Sequence, residues 1–249
     1  MNREDHAPAE TDRDLLKNTM RIKRASVFNE LKGLAEDDYK EFNNKIIPTK
    51  QTALGVRVPI LRKIAKRIAQ QEAFEFIHLD KKNVYEMIML EGMVLSYLDK
   101  SFNELLPLTE RFLNKVDNWA QTDSTVCYFK RIKKEKDVVL RIVKKWLKSD
   151  KEFIVRAGLV ILLAHFVDKE NLPLIFNSSQ RVDHKGYYVQ MGNAWLISVC
   201  MAKFPEETIA FLQNNTLDKT TQNMAIQKSR ESYRVSQEHK ALIIAFKKK

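Results

Sequence analysis

Apolar residues recur along the chain at steps of three and four, as in "VYEMIMLEGMVLSYL" and "FIVRAGLVILLAHFV", while strict alternation of apolar and polar residues is scarce. That period puts the apolar side chains on one face of an α-helix, so the pattern predicts an all-α protein. Helix starts are expected where proline or a small polar residue precedes a periodic run. Such sites are Val58-Pro59 before "ILRKIAKRIAQ", Ser149 with Glu152 in capping-box spacing, Pro205 before "EETIAFLQ" and Asp218 before "KTTQNMAIQKSRES". "NWAQTDSTVCYF", with neither glycine nor proline, reads as one continuous helix. The first helix is expected to begin between Asp12 and Leu16 and to carry into "RIKRASVFNELKGLA". Residues 1–13 read as a disordered tail ahead of a single domain over 14–249.

The segments also repeat. "VYEMIMLEGMVLSYL", "NWAQTDSTVCYF", "FIVRAGLVILLAHFV", "YYVQMGNAWLISVC" and "QNMAIQKSRESY" begin about 30 to 35 residues apart, each followed by a second amphipathic stretch. Helix pairs at this period stack into an α-solenoid of the HEAT-like or armadillo-like kind, expected here to be right-handed. The inner helices of such a stack line a concave face, so residues at matching positions of successive repeats converge there.

Composition narrows the class. With 249 residues, 44% of them hydrophobic, the chain has the material for a sizeable core. Its apolar runs stop short of the roughly 18 residues that a membrane span needs. Cys127 and Cys200 lie in apolar periodic segments, without metal-knuckle spacing, and read as reduced core residues. No apolar secretory segment opens the chain, so a cytoplasmic location is expected. A formal net charge of +11 makes the concave groove a basic one and favours a polyanionic partner.

Candidate chemistry gathers on the inner helices. Trp119 and Asp123 share a helical face, Arg156 interrupts an apolar run in the next repeat, and Tyr187, Tyr188 and Trp195 follow in the third. An arginine among apolar neighbours needs a carboxylate, and Asp123 is the expected partner, its pKa held down by the guanidinium. The same residues equally describe an ion pair that clips two repeats together, with both tryptophans in the core. His6, His78, His165, His184 and His239 are scattered without zinc-ligand spacing, so neither metal nor cofactor is expected.

The stretches "ALGVRVPILRKIAK", "NWAQTDSTV", "FIVRAGLVILL", "YYVQMGNAWLIS" and "PEETIAFLQNNTLDKTTQNMAIQKSRESY" together resemble the AlkD-type DNA alkylation repair proteins, which are HEAT-like-repeat DNA glycosylases. The resemblance runs over roughly residues 25 to 235, in one order and with compatible spacing. It implies base excision of cationic alkylated purines, such as N3-methyladenine and N7-methylguanine, from duplex DNA; a closed solenoid with capped ends, for its part, favours a monomer. It also implies that Trp119, Asp123, Arg156 and Trp195 are the catalytic set. Where that family carries a second aromatic beside the first tryptophan, this chain has Asn118. Where it carries basic residues, this chain has Met191, Gln222 and Asn223. Tyr39 and Phe42 are the candidates for an N-terminal cleft aromatic.

The residue types suit that chemistry. A purine alkylated on a ring nitrogen is a cationic leaving group, so the glycosidic bond breaks through an oxocarbenium-like sugar without an acid. A fixed carboxylate stabilises that sugar and positions water, indole faces cradle the cation, and the arginine holds the carboxylate and reaches a phosphate. Phosphate contacts are expected from Arg57, Arg62, Lys63 and Lys66 near one end and from Lys144, Lys145, Lys148 and Lys151 near the middle, with Tyr187 and Tyr188 beside the cleft. Two further readings use the same groove: a non-catalytic binder of distorted or branched nucleic acid, and a protein-interaction scaffold.

Overall fold

The computed structural model describes residues 22–249. These form fourteen α-helices and two short 3-10 turns, and among the described residues there is no strand, only a parallel bridge between Thr52 and Val84. The helices are α1 (Arg24–Gly33), α2 (Asp37–Ile46), α3 (Val58–Gln71), α4 (Ala73–His78), α5 (Tyr85–Tyr97), α6 (Phe102–Leu113) and α7 (Trp119–Val126). They continue as α8 (Lys136–Trp146), α9 (Glu152–His165), α10 (Leu172–Gln180), α11 (Tyr187–Lys203), α12 (Pro205–Gln213), α13 (Lys219–Glu231) and α14 (Gln237–Leu242). The expected tail and the start of the first helix at Asp12 to Leu16 lie outside the described residues.

Helices α3, α5, α7, α9, α11 and α13 stand side by side in chain order, each packed on the next. The intervening helices form a second layer, α4 and α6 against α5, α8 against α9, and α10 and α12 against α11. This is an all-α helical repeat solenoid. Layer position explains the composition of each helix. In α8 only one stripe is buried, Val139, Ile142, Val143 and Trp146, because its outer side meets water. In α9 nine successive residues from Ile154 to Leu162 are buried, because α7 and α11 flank it and α8 backs it. Each fully buried aliphatic side chain of this kind contributes about 1.5–3 kcal/mol.

Pro59 and Pro205 sit in the first turns of α3 and α12, and Asp218 caps α13 by accepting from the Thr221 N–H, as expected. Ser149 does not cap α9. Its hydroxyl accepts from the Lys151 N–H at 3.1 Å in a local turn, and the side chain of Glu152 is used elsewhere. A complete capping box occurs instead at Ser101 and Glu104, at the start of α6. The helix expected over "NWAQTDSTVCYF" ends at Val126, after eight residues. There the His165 ring meets the Val126 carbonyl at 2.9 Å, giving it a partner from α9.

Buried polar groups fix the approach to α7. Glu86 on α5, 1% exposed, accepts the backbone N–H groups of Leu54, Gly55 and Val56 and so pins the loop before α3. Asp117 accepts from Thr49 Oγ1, Lys50 N–H and Asn118 Nδ2, joining that loop to the α7 N-terminus. Glu91 lies fully buried between Lys81 and Lys115, which ties the α6–α7 turn to α5. Burial pulls Lys81 down to about 8 despite that carboxylate.

Candidate active site

The candidate residues come from three successive first-layer helices. Asn118 is fully buried and caps α7, its Oδ1 accepting the Gln121 N–H at 3.1 Å. That cap sets the rotation of a short helix whose Trp119 and Asp123, one turn apart, face the same side. From α9, Arg156 donates Nε to Asp123 Oδ1 at 2.9 Å and Nη2 to Oδ2 at 2.7 Å, a bidentate pair. Its third nitrogen donates to the Tyr188 carbonyl at 2.8 Å, while Glu152 accepts the Tyr188 N–H at 2.7 Å. Both backbone polar groups of Tyr188 are thus held by α9, which fixes the first turn of α11. Gly192, one turn further, leaves room for the guanidinium: a Cβ there would stand 3.4 Å from Arg156 Nη1.

These contacts open onto a cleft of about 380 Å³ lined by Trp119, Asp123, Arg156, Tyr187, Tyr188 and Trp195. Ile46, Met191 and Lys228 complete the wall. The six inner-helix candidates read from the sequence are therefore together. Arg156 is buried, and Asp123 keeps 13% of its side-chain surface open, so the acid is the more accessible of the two. The expectation of a depressed Asp123 pKa needs correction. Burial pushes the carboxyl above its ordinary value, and the hydrogen bonds and charge of Arg156 offset only part of that rise. A neutral Asp123 would strand the buried guanidinium without a counter-charge, which favours the ionised pair.

The other candidates are dispersed. Arg62 lies 3.6 Å over the ring of Tyr128, just after α7, and its charge reaches Cys127 together with those of Asp123 and Arg156. Lys66 stands over Tyr97, and Lys63 is exposed. Arg57 is paired with Glu36 at 2.9 Å and stacked over Tyr39. Lys144, Lys145 and Lys148 belong to the second layer. Lys144 and Lys148 line a separate cleft with Leu174 and Arg181, and Lys145 pairs with Glu110. Lys151 precedes α9 and donates to Asn114. Tyr39 and Phe42 do not line the acid cleft, whose α2 wall is Ile46. Met191 lines it, whereas Gln222 and Asn223 hold the C-terminal segment through the Phe246 carbonyl and the Lys248 backbone.

Sequence reading missed Lys228. The only available signal was a lysine within the last repeated segment "QNMAIQKSRESY", which its register alone does not separate from a solvated one. Burial raises the thiols of Cys127 and Cys200 to about 12, so neither is a ready nucleophile. Among the described residues no three His, Cys, Asp or Glu side chains gather as a metal site. No helix there is long and apolar enough to cross a membrane.

The chain is thus an α-helical repeat protein in which a charge-paired aspartate shares one cleft with two indoles. The model of the DNA alkylation repair enzyme family matches residues 27–234, from within α1 to just beyond α13, and the chain belongs to that family. No curated protein matches the chain.

Proposed function

We propose that the protein is a DNA glycosylase that hydrolyses the N-glycosidic bond of cationic alkylated purines in duplex DNA. The observation that carries this reading is the Asp123 carboxylate, oriented by two bonds from Arg156 and open to a cleft walled by Trp119 and Trp195. Each carboxylate oxygen has a second lone-pair direction beyond the one Arg156 takes, which leaves acceptor capacity on the cleft side.

In the reaction the bond between C1′ and the ring nitrogen breaks, and its electron pair neutralises the departing cationic base. Positive charge then builds on the sugar, where a preorganised carboxylate stabilises it. Water held by Asp123 adds to C1′ and passes its proton through the carboxylate to solvent, giving the abasic sugar and the free base. Trp119 and Trp195 offer π faces to the cation, worth about 0.5–2 kcal/mol for each favourable contact. Arg156 acts on the substrate through Asp123, whose orientation it sets. Duplex contact on the α3 side is assigned to Arg62, Lys63 and Lys66. Arg57 is committed to Glu36, and Lys144, Lys145 and Lys148 stand on the second layer outside the proposed contact.

The test is release of N7-methylguanine or N3-methyladenine from methylated duplex DNA, measured by chromatography of the free base. Wild-type protein is expected to release base and Asp123→Asn is not. A wild-type protein that binds the duplex and releases nothing would remove catalysis and leave the binding reading. That reading has one observation in its favour, that both Asp123 oxygens already accept from Arg156.

A further inference from the structure

A second cleft, of about 590 Å³, lies between α11 and α13 and shares two residues with the acid cleft, Trp195 and Lys228. The two hollows therefore adjoin, with an indole and an ammonium at their common boundary. The second half adds Ser198, Lys203, Ser232 and Arg234, and its one carboxylate, Glu231, accepts from Gln227 at 2.9 Å. Lys203 donates to the Val167 carbonyl, a neutral group that leaves its charge uncompensated. Lys228 and Arg234 form no ion pair among the described residues.

Resting on the proposed glycosylase reading, the geometry points to the second cleft as the seat of the DNA strand that flanks the lesion. Lys228 and Arg234 bind successive phosphates there. Charge decides the ligand class. In the acid cleft Asp123 is already neutralised by Arg156, so Lys228 gives that cleft a net positive charge. An ammonium at the edge the two clefts share draws an anion to that edge and leaves the Asp123 end to the sugar and base. The anion available next to a lesion sugar is its own phosphodiester. Continuing past Trp195, the strand meets Lys203, Arg234 and the Ser232 hydroxyl, donors that suit phosphate oxygens, while the Ser198 hydroxyl is taken by the Trp195 carbonyl. Lys228 thereby registers the strand so that the sugar, rather than the phosphate, meets Asp123.

Fluorescence anisotropy with a short fluorescein-labelled duplex carrying one N7-methylguanine tests this, across salt from about 50 to 200 mM. Lys228→Met and Arg234→Gln are each expected to weaken binding about tenfold and to reduce the slope of log K against log salt by about one. Lys228→Arg should restore both. Lys169→Gln, on an exposed lysine paired with Glu207 away from both clefts, should change neither. The concentration of protein giving half-maximal single-turnover base release should rise with Kd in Lys228→Met. Unchanged affinity and slope in folded Lys228→Met and Arg234→Gln overturn the assignment, as does wild-type protein with no affinity for the duplex. If wild-type protein releases no base while these slopes still shift, the glycosylase reading fails and the strand-binding site stands.

Discussion

Replacing Asp123 with asparagine separates the structural from the chemical role of the acid. Asparagine keeps the size of the side chain, but one of its two terminal atoms becomes a donor. Of the Arg156 bonds at 2.9 and 2.7 Å, one is kept in neutral form and the other becomes a donor facing a donor. Arg156 is 4% exposed and retains its bond to the Tyr188 carbonyl, so its charge stays inside without a counter-ion. Removing one partner of a buried pair costs about 3–5 kcal/mol. Because the Asp123 side opens to the cleft, the lower end applies, and we expect about 3 kcal/mol of lost stability in urea unfolding. Arg156→Met should cost a comparable amount, and the double variant less than the sum, with a coupling energy of about 2 kcal/mol. Base release by the asparagine variant should fall at least about 100-fold. A loss of stability below about 1 kcal/mol with no coupling would refute the inter-repeat clip, and base release within about threefold of wild type would refute the electrostatic role.

Three further outcomes are expected. Because burial raises the Asp123 pKa, its charge, and with it base release, is present above that raised value and lost as pH falls through it. The acid limb of single-turnover release should therefore have its midpoint above about 3.9, the ordinary aspartate value, and a midpoint at or below it contradicts the assignment. Gly92→Ala would set a Cβ 2.0 Å from Thr125 Oγ1 and 2.5 Å from the Phe112 ring, where α5, α6 and α7 meet. Overpacking there should cost about 2–3 kcal/mol and lower Tm by about 5 °C or more, and an unchanged Tm would show that the contact relaxes freely. Glu86→Gln replaces the acceptor of the Leu54, Gly55 and Val56 N–H groups with an amide. A loss of about 2–3 kcal/mol in urea unfolding is expected, and faster hydrogen exchange at these three amides would locate it.

Helices and their order follow from local terms, and those were legible. Apolar spacing, Pro59, Pro205 and the Asp218 cap act within one or two turns, so the chain specifies α3, α12 and α13 without its neighbours. The repeat of inner segments likewise placed Trp119, Asp123, Arg156 and Trp195 at matching positions, since solenoid stacking converts period into proximity. What failed was whatever depended on a partner far along the chain. Ser149 and Glu152 have capping-box spacing, yet Glu152 is drawn to the Tyr188 N–H of the next repeat. The length of α7 is set with His165 at its end, not by a breaker residue. The Asp123 pKa moved up rather than down, because the desolvation that dominates it comes from packing around the pair and has no counterpart in residue order. Lys144, Lys145 and Lys148 read as one basic run with the rest, and only tertiary structure assigned them to the second layer. Only tertiary structure, too, brought Lys228 of α13 across to Trp195 of α11, at the shared edge of two adjoining clefts. By itself the sequence determined periodicity and therefore helices, because hydrogen bonds within a turn are local. Burial, ion pairing and the facing of charges were decided by the fold, because each is a sum over neighbours that the chain meets only once it has closed.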